Sequence, residues 1–165
     1  MSLNLLFYLL LSNTTPKITE ADIPVPSVIV PQRKSEFSLD RRELDCLAKN
    51  IYHESKGESK SGKWAVANVS LNRLEHPAFP DTICDVVYQK RKVCEFSWVC
   101  DGKRDITQFD EKSWKESKEI AKKAIEKKTV DNTGGALFFH NNKVNPRFHK
   151  KRKRTTRIGN HLFYK

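Results

Sequence analysis

Residues 50–59, NIYHESKGES, place His53 beside Glu54 and a second acid, Glu58, four positions on. A metal-binding helix, a surface charge cluster and a single catalytic acid at a helix end all fit these residue types. The metal fails on spacing. An HExxH motif needs a second histidine one turn on, so that both rings reach the same zinc, and position 57 is Gly. His140 and His149 lie far along the chain and nothing pairs them with His53, so neither a metal nor another cofactor is expected. A lone acid is chemically stronger. Glu54 falls in the last turn before Gly57, where unpaired helix carbonyls disfavour an anion. Packed beside Tyr52 and an apolar face, its carboxyl is pushed further toward the neutral form by desolvation. A carboxylic acid still protonated near neutral pH is what protonating a glycosidic oxygen requires. On spacing alone a plainer role stays open, a surface ion pair of Glu54 with Lys56 or Lys60.

The elements that must position Glu54 are legible from periodicity. Ser38 to Glu43 supplies N-cap residues, after which Leu44, Leu47, Ala48, Ile51 and Tyr52 recur on one helix face. Gly57 is a natural stop. A second helix is expected over 59–74, with Trp64, Ala67, Leu71 and Leu74 on a common stripe, broken by Pro77 and Pro80. Asp81 or Thr82 caps a short helix through Val86, Val87 and Tyr88. The segment 111–128 reads as a solvated amphipathic helix with Trp114, Ser117, Ala121, Ala124 and Ile125 inward. After Gly134-Gly135 the short aromatic segments ALFFH and NHLFYK predict a small β element.

The chain has 165 residues, one domain's worth, with 3 Trp, 9 Phe and 4 Tyr for a core. Its net charge of +11 is uneven: nine Lys/Arg and no acid lie between Lys143 and Lys165. Such a surface suits a polyanion, whether nucleic acid, an anionic membrane or a cell wall rich in carboxylate and phosphate. Cys94 and Cys100 bracket EFSWV, a span that a disulfide closes into a small loop, leaving Cys46 and Cys84 as a second pair. That pairing fits an exported protein; four reduced, buried thiols in a cytosolic one remain the alternative. Residues 1–11 are apolar but too short to span a bilayer, so no stable membrane span is expected. They read as the apolar part of a secretory signal or as a segment docked on the domain. Residues 12–38, holding four of the seven prolines, read as a linker, and 39–165 as the domain.

Three separated blocks carry a resemblance: LAKNIYHESKGESKSGKWAVANVSLNRLEHPAFPDTICDVVYQ, then CEFSWVCDG, then GGALFFHNNKVNPRFHKKRKRTTRIGNHLFYK. In this order they resemble the SleB-type cell-wall hydrolase family over about 43–164. The resemblance implies an α+β, mainly α, lysozyme-like domain with a small C-terminal β element. It implies cleavage of the β-1,4 bond between N-acetylmuramic acid and N-acetylglucosamine in peptidoglycan. Glu54 maps onto the family's general acid, the Glu54-Ser55 pair is similar to the lytic transglycosylase motif, and Glu58 maps onto the second Glu of the block, structural or substrate-orienting. Glu95, Phe96, Ser97 and Trp98, with His140, Asn141, Asn145 and Tyr164, are then expected along the glycan groove. Trp98 also suits a core position, and His161 a structural one. The family commonly has Gln where this chain has Glu95. The implied reaction is a lytic transglycosylation leaving 1,6-anhydromuramic ends, with hydrolysis as the alternative. The implied setting is secreted, periplasmic or in the cell wall, in a bacterium or as a phage lysis protein, with a monomer expected.

A small basic nucleic-acid-binding protein is the rival of another class, and an inactive wall-binding module a third. The rival explains the basic tract 150–157 but neither the Glu-Ser-x-Gly-Glu block nor the Cys-bracketed aromatic loop. No specific nucleic-acid partner is therefore expected, and Lys150 to Arg154 is read as a solvated surface.

Overall fold

Residues 40–102, 110–127 and 130–165 are described by the structure, a computed structural model, with the side chain of His149 excepted. The expected apolar N-terminal segment and linker lie outside the described residues, as does the expected last residue of the 111–128 helix. Four helices precede a small sheet: α1 Arg41–Ser55, α2 Lys60–Glu75, α3 Ile83–Val87 and α4 Glu111–Ile125. Strands β1 Phe138–Asn141, β2 Arg154–Ile158 and β3 His161–Tyr164 follow, with short 3-10 turns at Ser97–Val99 and Arg147–Lys151.

Local chemistry explains each start and stop. Asp40 caps α1 by accepting from the Arg42 N–H at 2.8 Å, and Ser59 caps α2 by accepting from Gly62. Thr82 caps α3. Glu43 of α1 reaches across to accept from the N–H groups of Ile83 and Cys84 at 2.5 and 3.3 Å, placing a carboxylate on the otherwise unpaired donors of α3. The Cys46–Cys84 disulfide locks the same junction, with Cα atoms 5.2 Å apart, and a second disulfide joins Cys94 to Cys100.

The second helix departs from the expected stripe. It is buried nearly all round: Ala65, Val66, Ala67, Val69 and Leu74 are covered, but so are Lys63, Asn68, Ser70 and Arg73. Trp64 and Leu71 of the expected stripe are only half-buried. The helix is central, with α1, α3 and α4 on one side and the sheet on the other, so its polar residues must find partners inside. Lys63 pairs with Glu116 of α4 at 2.5 Å, and Ser70 accepts from Asn50 of α1. Asn72 donates to the carbonyl of Ala136 and the hydroxyl of Thr133, pinning the turn before β1.

Two apolar clusters result. One gathers Leu47, Ile51, Val66, Ile83, Val87 and Ile120 between the helices. The other packs Ala65 and Val69 of α2 on Ala136 and Phe163. Each fully covered Leu, Ile or Phe contributes about 1.5–3 kcal/mol. The sheet has the order β1-β3-β2, antiparallel throughout, pairing Phe138 with Tyr164 and Ile158 with His161. Strand β2 begins at the last residue of the basic stretch that reads as solvated surface. Lys150–Arg154 is indeed exposed, but Arg154–Ile158 forms an edge strand whose charges hide its β character.

The hairpin between β2 and β3 is fastened to the α1–α2 turn by Glu58, whose carboxylate accepts from the side-chain amide of Asn160 at 2.9 Å and from its backbone N–H at 3.3 Å. Gly159 permits this contact: its φ is +56°, and a Cβ there would run into the Glu58 carboxylate. Gly159→Ala is therefore expected to destabilise by about 1–3 kcal/mol in urea unfolding. Adding Glu58→Ala should recover part of that loss, because the clash goes with the carboxylate. Strict additivity of the two variants would refute the contact.

Candidate active site

Glu54 stands in the last turn of α1, which ends at Ser55 with Lys56 as C-cap. The buried neighbours Ile51 and Tyr52 hold that turn against the core. Among the described residues its carboxyl makes no hydrogen bond or ion pair. Burial raises its pKa from 4.5 to about 7; the positive charge of Arg73 works against this, and the negative charge of Asp101 with it.

Arg73, on α2, lies opposite in charge and almost wholly buried, 3 % exposed. Its Nε donates to the carbonyl of Leu137 at 2.7 Å. Its guanidinium lies 4.9, 5.1 and 5.4 Å from the ring centres of Phe96, Phe79 and Phe138, an aromatic cage around a cation. Its Nη1 is 3.5 Å from a carboxylate oxygen of Glu95. Desolvation lowers its pKa to about 10, with Glu95 and Glu54 opposing the fall and Arg152 and Arg91 adding to it, so Arg73 remains a cation at neutral pH.

Sequence reasoning missed Arg73. A signal existed: it is the first charge after nine uncharged residues, Trp64 to Asn72, in a helix whose apolar content demands burial. A cation there must be buried with a partner.

The expected groove residues divide sharply. Glu95 and Phe96 meet Arg73, whose charge reaches Glu54. Ser97 is exposed on the same loop. Trp98 is not an open stacking platform: it is 4 % exposed, donates from Nε1 to Asn50 at 3.0 Å and stacks on His53 with ring centres 4.3 Å apart. The ring simply fills the core, and in doing so holds His53, the neighbour of Glu54. Ser55 is likewise covered, its hydroxyl donating back to the Ile51 carbonyl at 2.6 Å, so it does not face a groove. Glu58 is taken up by the hairpin. His140 and Tyr164 stack with centres 5.3 Å apart, His140 Nε2 lying 3.0 Å from the Tyr164 hydroxyl and Nδ1 2.9 Å from the Asn141 carbonyl. A carbonyl only accepts, so Nδ1 carries hydrogen. Asn141 accepts from the Lys143 N–H, while Asn145 is exposed on the following loop. His161 is buried between Phe139 and Phe163, and burial lowers its pKa. Among the described residues no group of His, Cys, Asp or Glu could hold a metal ion.

A family model described as Cell Wall Hydrolase matches residues 57–164. The chain belongs to the cell wall hydrolase family. Glu54 lies just before the matched span. A spore cortex-lytic enzyme of Oceanobacillus iheyensis is 32 % identical over 143 residues, covering 85 % of this chain and 46 % of that protein. The spore cortex-lytic enzyme of Bacillus cereus is 32 % identical over 128 residues, covering 76 % and 45 %. The chain thus spans just under half the length of these curated relatives. Among solved structures, the catalytic domain of the germination-specific lytic transglycosylase SleB from Bacillus anthracis matches with TM-score 0.63 and 31 % identity, over 76 % of this chain and 96 % of that one. The catalytic domain of SleB from Bacillus cereus matches with TM-score 0.65 and 29 % identity, over 81 % and 98 %. The fold is therefore the mainly helical α+β architecture of those domains.

The raised pKa of Glu54 has a thermodynamic signature. Unfolded, the group releases its proton near 4.5; folded, it holds the proton to about 7. Between those values the folded chain binds more protons than the unfolded one, so this group makes stability fall as pH rises. Glu54→Gln removes that slope. Relative to wild type, the variant should gain about 1–3 kcal/mol between pH 4 and pH 8 in urea unfolding, a range discounted for the partial exposure of Glu54. A pH-independent difference would show that Glu54 titrates normally.

Proposed function

We propose that the chain cuts the glycan strands of peptidoglycan at the β-1,4 bond between N-acetylmuramic acid and N-acetylglucosamine. The observation that carries this proposal is a lone carboxyl, Glu54, kept neutral by burial up to about pH 7 and free of hydrogen bonds among the described residues. A carboxylic acid in that state can protonate the leaving glycosidic oxygen. The relatives named as spore cortex-lytic enzymes, and the solved domain described as a lytic transglycosylase, support the same substrate class.

The reaction we infer is transglycosylation. Glu54 donates its proton to the departing oxygen as the bond breaks. As carboxylate it then takes the proton of the muramic C6 hydroxyl, which attacks its own anomeric carbon and leaves a 1,6-anhydro end. No second carboxylate is needed as nucleophile or base. Glu95, the acid closest to hand in the Cys94–Cys100 loop, is already held by Arg73. A hydrolytic muramidase is the second reading, and one electrostatic influence favours it: the charge of Asp101 reaches Glu54, and a hydrolytic route recruits a second acid to activate water. The two disulfides and the +11 charge suit an oxidising compartment and an anionic wall, so we place the protein outside the cytoplasm or in the cell wall.

Digestion of purified peptidoglycan followed by mass spectrometry is expected to yield anhydromuramic ends; reducing ends would establish the hydrolytic route. Glu54→Gln should lower kcat/KM by about a hundredfold to ten-thousandfold. In the wild type, kcat/KM should decline above about pH 7, as the acid loses its proton. Full activity of the Gln variant would remove Glu54 from the mechanism.

A further inference from the structure

Beside the Arg73 cage the surface opens into a cleft of about 730 Å³, which Glu54 does not line. Its apolar wall is made by Phe79, Leu137 and Phe138, two of the rings that surround Arg73. Its polar wall carries Arg91, Arg152 and Lys165. Arg91 is held in place by a hydrogen bond from its guanidinium to the Ala78 carbonyl at 3.1 Å, and Arg152 lies 3.4 Å above the centre of the Phe138 ring. The acid on this wall, Glu75, pairs with Lys127 at 3.4 Å. None of the three cations makes an ion pair among the described residues. The charges of Arg91 and Arg152 also reach buried Arg73, so like charge converges on one concave, partly apolar surface. Such a field favours an anion there.

The volume falls within the range of about 300–1,000 Å³ typical of small-ligand sites, larger than one carboxylate requires. Resting on the function proposed above, the occupant can be named by its chemistry. A glycan strand is uncharged except at its muramic residues, whose lactyl arms carry short peptides with free carboxylates. We infer that this cleft binds the acidic stem peptide of the muramic residue lying against the Glu54 site, with Arg91, Arg152 and Lys165 meeting its carboxylates and Phe79 and Phe138 its aliphatic side chains. The enzyme then selects strands that keep their peptides, and does so through binding rather than through the chemical step.

Three substrates test this: purified peptidoglycan freed of other wall polymers, the same material with its carboxylates converted to neutral amides, and strands stripped of peptide by an amidase. Wild type is expected to cleave the first with about tenfold higher kcat/KM than the second or third, the difference lying in KM. In the double variant Arg91→Gln, Arg152→Gln that preference should shrink toward unity. Lys165→Gln alone should reduce it in part, and circular dichroism checks that each variant folds. Equal cleavage of native and amidated material overturns the inference, as does a preference that survives in the double variant. Stripped strands cut as well as native ones would assign recognition to the lactyl carboxylate and overturn the stem-peptide site. Cleavage of none of the three would instead sink the Glu54 mechanism, and the cleft's proposed ligand with it.

Discussion

A single buried guanidinium holds the two halves of this molecule in register. Arg73 sits near the end of the central helix, where the helical core meets the sheet. Taking a cation out of water costs several kcal/mol even after the protein relaxes. The fold offsets this with a carbonyl from the segment entering β1, an ion pair from the Cys-closed loop, and three aromatic rings from three parts of the chain. The partners come from three regions, the turn after α2, the Cys-closed loop and the start of β1, so meeting the charge also fixes where those regions lie. Apolar burial supplies most of the stability but would tolerate small slips among them; the hydrogen-bonded cation does not.

The same cation governs the acid. Two opposing effects act on the Glu54 carboxyl, desolvation upward and the Arg73 charge downward, and desolvation prevails. Glu95, 3.5 Å from one of the Arg73 nitrogens, offers that cation a second carboxylate. A neutral amide at position 95, as the resemblance has it for many members of the family, could accept a hydrogen bond from Arg73 but would not offset its charge. The acids at 95 and 54 both act on Arg73, each favouring its charged form.

Much of this was readable from residue order, and the parts that were not have identifiable causes. Helices α1, α3 and α4 follow from apolar spacing, and the first two also from caps at Asp40 and Thr82, which depend only on near neighbours. The aromatic strands β1 and β3 likewise announce themselves. What periodicity misread was burial of polar groups. Helix α2 looked like a one-sided helix because Lys63, Asn68, Ser70 and Arg73 interrupt its apolar residues, yet all four are covered by partners far away in sequence. Strand β2 was hidden for a different reason: its arginines, Arg154 and Arg157, are exposed on an edge strand and mask its β character. Within the site, the place of Glu54 in the last turn of α1 was legible from Gly57, while its reading as an acid rests on the flanking blocks that carry the resemblance. The assignment of Ser55 and Trp98 to the groove failed because a short motif does not say which way each side chain turns.

Those two residues show how the acid's surroundings are built. Ser55 spends its hydroxyl on its own helix, and so offers Glu54 no hydrogen bond; a serine turned the other way would stabilise the carboxylate and lower its pKa. Trp98 packs flat on His53, with its indole N–H engaged by Asn50, which in turn donates to Ser70 on the central helix. That chain of contacts places a largely apolar wall behind the last turn of α1. A carboxyl kept neutral by burial depends on polar neighbours being otherwise engaged as much as on apolar ones being present. Ser55 and Trp98 make their hydrogen bonds away from Glu54, so its carboxyl is left to desolvation rather than to hydrogen bonding.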